Sequence, residues 1–332
     1  MPMPPSFLPL ITQPQEVVFQ MNAANIQVRK APLKNRILKY KWFYVMFLPV
    51  LAFVIVFHYL PMFGVYFAFT KYNIIKAPVW VGMKNFNRLF SMPNFWRAFS
   101  NTLEISVTSL LLNTGMSVII SLMLNEIVST KAKKVAQTII YLPHFMSWVV
   151  TAAVFQMLFS PTTSGLLNQL LLKMGLIEES IYFLGNSQWW RLSYYIINIW
   201  HNTGWGTIIF MATLTGIDPG IYEAASIDGA GRWKKMWYIT LPSLANTIIT
   251  VLILNLAKVM NLFESVFVLQ NNAVMDVSQV LQTYVYYQTF NSGGIPDYGY
   301  TTAIGLFRSL VGAALVLMCN YASKKVSGRG IM

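Results

Sequence analysis

Charge is what this sequence has least of. Only 11% of its 332 residues are Asp, Glu, Lys or Arg, against about a quarter in ordinary soluble domains. With 55% hydrophobic residues and a mean hydropathy of +0.51, that scarcity excludes a disordered chain and an ordinary soluble enzyme. It makes a polytopic membrane protein the first reading. Acidic residues are rarest, 11 against 24 Lys and Arg, for a net charge of +13. Cys319 is the only cysteine, which excludes an internal disulfide and a cysteine metal cage. The stretch Gly-x-x-x-x-Gly-Lys-Ser/Thr is absent, so the chain carries no phosphate-cradling loop of its own. Gly229-Ala230-Gly231 lacks the preceding strand and the spacing that such a loop needs. His58, His144 and His201 fall on different apolar stretches without metal-ligand spacing, so no metal site is expected. Neither a solenoid repeat nor a low-complexity tract appears.

What the sequence has instead is long apolar runs. Six stretches supply the roughly 20 residues needed to cross a bilayer: residues 42–69, 99–124, 136–159, 192–214, 243–269 and 302–321. The fourth is interrupted by Asn198, His201 and Asn202. Hydrocarbon cannot satisfy free backbone groups, so each stretch reads as a helix; length and the lack of strict alternation argue against a barrel. Outside the spans, Gly165–Gly175 and Val277–Phe290 read as short amphipathic helices. Either they pack against neighbouring spans or they form a docking surface for an external partner.

Basic residues cluster at span ends, which favours membrane orientation over nucleic-acid binding as their explanation. Arg29, Lys30, Lys34, Arg36, Lys39 and Lys41 precede the first span. Lys131, Lys133 and Lys134 follow the second, Arg232, Lys234 and Lys235 follow the fourth, and Lys324, Lys325 and Arg329 follow the sixth. The opposite side holds Lys71, Lys76, Lys84, Arg88, Arg97, Lys173 and Arg191. Both termini are therefore expected in the cytoplasm. The first 28 residues lack Lys and Arg and contain five prolines; they read as an irregular cytoplasmic lead-in rather than a signal peptide.

Between the fourth and fifth spans lies IDPGIYEAASIDGAGRWKKMWYITLP, from Ile217 to Pro242. Asp218 suits an N-cap, Pro219 the first helical position, and Glu223 the positive end of the helix dipole. Gly229 and Gly231 permit a sharp reversal. Arg232–Tyr238 restarts helix, and Pro242 is expected to end it before the fifth span. This compact knuckle could serve as a handle for another protein.

Glu223-Ala224-Ala225, three residues, Gly229, nine residues, then Ile239-x-Leu241-Pro242 matches the EAA motif at every defined position. Here the chain resembles the binding-protein-dependent inner-membrane components of ABC importers. Tyr222 and Ile227-Asp228-Gly229-Ala230 look like the carbohydrate branch. Tyr59-Leu60-Pro61-Met62, Asn261-Leu262-Phe263-Glu264 and Gly305-Leu306-Phe307-Arg308-Ser309 are similar to its polysaccharide type. The resemblance implies an all-α integral membrane protein with the six helices of the type I importer permease fold. Residues 1–41 would be a cytoplasmic segment, 42–325 the permease domain, 218–242 the coupling segment and 326–332 a cytoplasmic tail. It also implies that Glu223, Ala224, Ala225, Asp228 and Gly229 form a coupling helix seated in a cytosolic ATPase. Partners would be a second, different permease subunit, two ATPase subunits that bind the ATP and Mg, and an extracytoplasmic solute-binding protein. The location would be the bacterial inner membrane. The resemblance further implies no cofactor in this chain and no enzymatic activity of its own.

Polar groups at membrane depth are costly and mark pathway candidates. Asn255, Lys258, Asn261 and Glu264 recur every three residues in the fifth span, and Arg308 lies in the sixth. Span four contributes Tyr194, Tyr195, Trp200, His201, Asn202 and Trp205. Aromatic rings and amides suit sugars, and two cations suit an acidic, uronate-containing one. The structural alternative is interhelical pairing of Lys258 or Arg308 with Glu264 or Glu104. The expected function is saccharide import. The alternative, an ion-coupled secondary transporter, needs an intramembrane carboxylate relay that Glu104 and Glu264 alone do not make.

Overall fold

The computed structural model describes residues 38–162, 165–291 and 293–327. The expectations for residues 1–28, for Arg29, Lys30, Lys34 and Arg36, and for Arg329 lie outside these residues. By internal contacts the chain divides into two units, Met1–Leu60 and Pro61–Met332. In the first, helix α1 (Lys41–Val54) buries none of its residues. Its Trp42, Phe43, Met46 and Phe53 are all exposed, as a lipid-facing helix requires.

The second unit is helical apart from one hairpin. Strands β1 (Thr70–Asn73) and β2 (Lys76–Trp80) pair antiparallel with Thr70 opposite Trp80. The turn is held by the Asn73 side chain, which accepts from the Lys76 amide at 2.9 Å. This hairpin is a departure from the all-α expectation. Its strands are only four and five residues long, too short to stand out from the apolar run before them. Helix α2 (Lys84–Ser91) follows, and its buried Asn85 donates to the carbonyls of Ala68 and Thr70 at 2.8 and 2.9 Å.

Helix α3 (Pro93–Asn125) and helix α7 (Ser187–Leu214) form the centre of the unit. Between them lie α4 (Thr130–Tyr141), α5 (Trp148–Leu158) and α6 (Leu166–Lys173). After α7 come α8 (Pro219–Ile227), α9 (Arg232–Lys235), α10 (Leu241–Leu256), α11 (Glu264–Leu269), α12 (Leu281–Phe290) and α13 (Tyr298–Ser327). Apolar side chains gather in three clusters, centred on Trp190 and Tyr194, on Phe95 and Tyr300, and on Phe210 and Leu244.

Among the described residues, four helical stretches are long and apolar enough to cross a membrane: Lys41–Phe69, Pro93–Asn125, Arg232–Leu256 and Tyr298–Lys325. The pair Thr130–Phe145 and Trp148–Leu158, bent by 102°, makes a fifth if it counts as one span. The 28-residue α7 is not among them, because Asn198, His201 and Asn202 dilute its apolar content.

Two spans read as single helices are broken. The 136–159 stretch turns through a 3-10 segment at Leu142–Phe145, and the new helix is capped by Ser147, whose hydroxyl accepts from the Val150 amide at 3.3 Å. Pro143 lacks an N–H and its ring crowds the preceding turn, so a bend there is expected. The 243–269 stretch ends as regular helix at Leu256 and tightens into 3-10 turns at Val259–Asn261 before α11 begins. Pro242, by contrast, does not end a helix. Helix continues from Arg232 to Leu256 through a π turn at Met236–Thr240. A similar π turn at Ile55–Tyr59 precedes Leu60-Pro61. Widening the turn before a proline removes the demand for the missing N–H and relieves the ring's clash.

Helices α6 and α12, expected outside the spans, are tied to the body of the unit by hydrogen bonds. Asn168, 1% exposed, ties α6 to the Ser160 and Ile181 carbonyls at 2.8 and 2.9 Å. The Leu281 amide at the start of α12 donates to the Thr102 hydroxyl at 2.8 Å.

Close backbone approach fixes the α4–α7 crossing. A Cβ on Gly204 would sit 2.3 Å from the Ile140 carbonyl oxygen, and backbone cannot yield as a side-chain tip can. Gly204→Ala is therefore expected to destabilise by about 1–3 kcal/mol. Gly305→Ala, where a Cβ meets nothing within 4 Å, should be neutral or slightly stabilising. Thermal unfolding of the two variants in detergent checks the contrast.

Candidate functional site

A cavity of about 510 Å³ opens among α3, α7 and the end of α10. From α3 it takes Ser106, Ser109, Asn113 and Ser117, and from α7 Tyr194, Asn198, Asn202 and Trp205. Each set recurs at three- to four-residue intervals, which places it on one helix face. Asn255, Lys258, Asn261 and Ser265 close the third side, and Trp148 stands at the start of α5. No Asp or Glu lines it.

A chain of hydrogen bonds runs through the wall. Asn113 donates to the Asn198 side-chain oxygen at 2.7 Å, and Asn198 donates to the Tyr194 hydroxyl at 3.2 Å. That hydroxyl is 2.9 Å from the Ser265 hydroxyl. The chain ties α3, α7 and α11 together and fixes the amides' orientation. The hydroxyls of Ser106 and Ser109 and the side-chain oxygen of Asn113 are buried without a protein partner among the described residues. An unmet buried polar group costs about 1–3 kcal/mol, so these atoms are spare capacity for a hydroxylated guest. Two indole rings are held by histidines: Trp148 stacks on His201 at 4.1 Å and Trp205 on His144 at 5.1 Å. His201 Nε2 lies 3.1 Å from the Met146 carbonyl at the break.

Of the five pathway residues expected from the sequence, Asn255, Lys258 and Asn261 line this cavity. They do so from a helix end and a 3-10 turn rather than from one helical face, because regular helix stops at Leu256. Arg308 lines a smaller pocket of about 280 Å³, with Asn261 bordering both. Glu264 lies outside the cavity lining, at the first turn of α11. The interhelical pairing considered for Lys258 and Arg308 is not formed. Among the described residues the ion pairs are Arg88–Asp297 and Arg191–Glu104, so Glu104 is held by Arg191 instead. The polar face of α3 escaped the sequence reading, although its three- to four-residue recurrence within an apolar run was the available signal. Equally missed was the approach of His144 to His201, whose ring centroids are 5.7 Å apart. Among the described residues no group of three or more His, Cys, Asp or Glu could hold a metal ion.

The second feature is the segment after α7. Asp218 accepts from the Gly220 amide at 2.9 Å and Pro219 occupies the first turn, so α8 starts as its sequence dictates. It ends in a Schellman arrangement: the Ala230 amide donates to the Ala225 carbonyl at 2.9 Å and the Gly229 amide to Ser226 at 3.1 Å. Gly229 adopts φ 77° to do so. The reversal is braced by Tyr222 against Thr240 (3.0 Å) and by the Lys235 ammonium donating to Ser226. Glu223, Ala224, Asp228 and Gly229 are exposed and Ala225 half-buried. Ile227 is 88% exposed and Trp233 73%, so the knuckle carries apolar surface beside charge.

A profile of binding-protein-dependent transport system inner membrane components matches residues 114–328. The chain belongs to that family. Two relatives from Bacillus subtilis (strain 168) span nearly its whole length. Protein LplB is 40% identical over 295 residues, 88% of this permease and 91% of its own chain. The polygalacturonan/rhamnogalacturonan transport system permease protein YteP is 38% identical over 307 residues, 91% and 94% of the two chains. Among solved structures, a chain of the bacterial alginate ABC transporter bound to an alginate-pentasaccharide-loaded periplasmic protein superposes with TM-score 0.82. The identity is 34%, over 90% of this permease and 99% of that chain. The permease thus sits in the carbohydrate branch and shares its helical fold.

If the hydrogen-bonded chain holds the cavity wall, Asn198→Ala strands the Asn113 amide and leaves the Tyr194 hydroxyl with Ser265 alone. A loss of about 1–3 kcal/mol in the stability of the detergent-solubilised permease is expected. An unchanged melting temperature would refute that role for Asn198.

Proposed function

We propose that this chain is one transmembrane subunit of an ATP-driven importer that carries an oligosaccharide delivered by an extracytoplasmic solute-binding protein. The observation that carries the proposal is the cavity: amides, hydroxyls and two indole faces with one lysine and no carboxylate. Indoles cover the apolar faces of sugar rings, and amides and hydroxyls exchange hydrogen bonds with sugar hydroxyls. Lys258 in the wall and Arg308 next to Asn261 favour an acidic sugar, as does the acidic cargo of the alginate transporter. The ion-coupled alternative loses support because its carboxylates are elsewhere. Glu104 pairs with Arg191, and Glu264 is outside the cavity lining.

In this reading α7 is also a crossing, the fourth in chain order, which brings the total to six, in a bacterial inner membrane with both termini cytoplasmic. Its polar side chains face protein: Asn198 is 5% exposed and His201 4%, so low hydropathy is compatible with spanning. A second, different permease subunit completes the path. Two ATPase subunits, holding the ATP and Mg, receive α8. The small Ala224 and Ala225 allow close seating, Glu223 meets a basic group there, and the Asp228-Gly229 turn fixes the helix's end. Closure of the ATPase pair then moves the knuckle, and rigid-body rocking alternates access.

Reconstituted with its co-assembling subunits, the complex should take up oligosaccharide only with ATP, and equally well after an ionophore dissipates ion gradients. Uptake abolished by the ionophore with ATP present would favour the alternative. Glu223→Lys should insert normally, with the ATPase dissociated or its hydrolysis no longer stimulated by loaded binding protein; wild-type uptake by this variant would sink the coupling role. Lys258→Gln should raise the KM for a uronate oligosaccharide roughly tenfold, the scale of one charge-assisted hydrogen bond. The KM for a neutral oligosaccharide of equal length should stay nearly unchanged.

A further inference from the structure

A second pocket, about 350 Å³, lies between α4 and α7 at the end of α7 from which the knuckle departs. From α4 it takes Lys133, Lys134, Gln137 and Tyr141, whose spacing puts them on one helix face; α7 supplies Met211 and Thr215. Lys133 to Tyr141 is eight residues, about 12 Å along the axis. The lysines therefore stand at one end of the pocket, and the tyrosine lies deeper, toward the apolar side chains. Neither lysine takes part in an ion pair among the described residues. Below the lysines the pocket is lined by Ile208, Met211 and Ala212 of α7, so its apolar side follows directly on the basic mouth.

Paired cations at an interface, an amide and a phenol just below them, and bare aliphatic side chains further along make a composition that fits one kind of guest. We propose that this pocket binds the phosphate headgroup of an anionic phospholipid. Lys133 and Lys134 meet the phosphate, Gln137 and Tyr141 hydrogen-bond the glycerol region, and the acyl chains lie along Ile208, Met211 and Ala212. Basic pockets between membrane helices on the cytoplasmic side bind such headgroups, and each lysine near the surface contributes severalfold to affinity. A tyrosine at headgroup depth suits its amphipathic ring. Lipid seated here would brace α4 against the part of α7 that leads into α8, within a few residues of Asp218. The site does not depend on which solute the cavity carries.

The test is native mass spectrometry of the purified complex titrated with phosphatidylglycerol or phosphatidylcholine. Wild type should retain phosphatidylglycerol at least tenfold more strongly. Lys133→Gln/Lys134→Gln should lose roughly twentyfold of that affinity and keep the wild-type level of phosphatidylcholine. Lys131→Gln, a neighbouring exposed lysine outside the pocket, should change it by less than about twofold. Equal retention of the two lipids, or an equal loss in Lys131→Gln, would overturn the site. Displacement of bound phosphatidylglycerol by soluble glycerol phosphate would overturn the lipid as its occupant and assign the pocket to a free phosphate.

Discussion

Backbone amides and carbonyls in hydrocarbon have no solvent to bond, so irregular chain at membrane depth persists only against protein or a water-filled space. That constraint organises this permease. The 3-10 segment at Leu142–Phe145 and the break at Ala257–Phe263 interrupt two stretches that the sequence presents as single crossings. Both reach the large cavity. Lys258, Val259, Asn261 and Leu262 line it directly, and Trp148, three residues past Phe145, forms part of its wall. At the first break the Met146 carbonyl is met by the His201 imidazole, a side-chain partner where no helical amide is available. Broken helices and cavity are thus two aspects of one arrangement: the breaks supply polar groups to the cavity, and the cavity allows the breaks.

The same reasoning explains why α7 is both the least lipid-like crossing candidate and among the most buried. Its Trp190, Tyr194 and Ile197 are fully buried, and Gly204 brings it within backbone distance of α4. A helix surrounded by protein need not be apolar all round, and its polar stripe can face an internal cavity. α1 stands at the other extreme, uniformly apolar and exposed. Hydropathy along the chain therefore reports lipid exposure more directly than it reports membrane depth.

What was legible from sequence follows from how local each cause is. The cap at Asp218, the proline after it and the left-handed Gly229 act within a few residues, so the start of α8 and its glycine turn were readable to within a residue. Helix existence was readable from apolar length. The breaks were not, because Pro143 and Pro242 look alike in sequence yet one bends its helix and the other is absorbed by a π turn. Surrounding packing selects between those outcomes. Long-range pairing was equally hidden. Nothing in the chain says that Arg191 lies beside Glu104, 87 positions away, or that His144 meets His201, each with an indole stacked on it. The α3 polar face is different in kind. Its serines and Asn113 were individually too mild to stand out, though their spacing placed them together.

One mechanical consequence ties the knuckle to the cavity. From Arg232 to Leu256 the chain is a single helical run of 25 residues, about 37 Å long, and it ends beside Asn255, Lys258 and Asn261. At its near end Tyr222 and Ser226 of α8 are bonded to Thr240 and Lys235, so a push on α8 is delivered to the rod rather than lost in a loop. At its far end the 3-10 turn is the softest point, since its hydrogen bonds are few and poorly aligned. Under the proposed coupling, a rod held at one end and hinged at the other would turn small displacements of α8 into reorientation of the cavity wall that carries Lys258. That lysine would change its exposure as the ATPase pair closes. The break in the fifth crossing is then as much a part of the transmission as the knuckle that drives it.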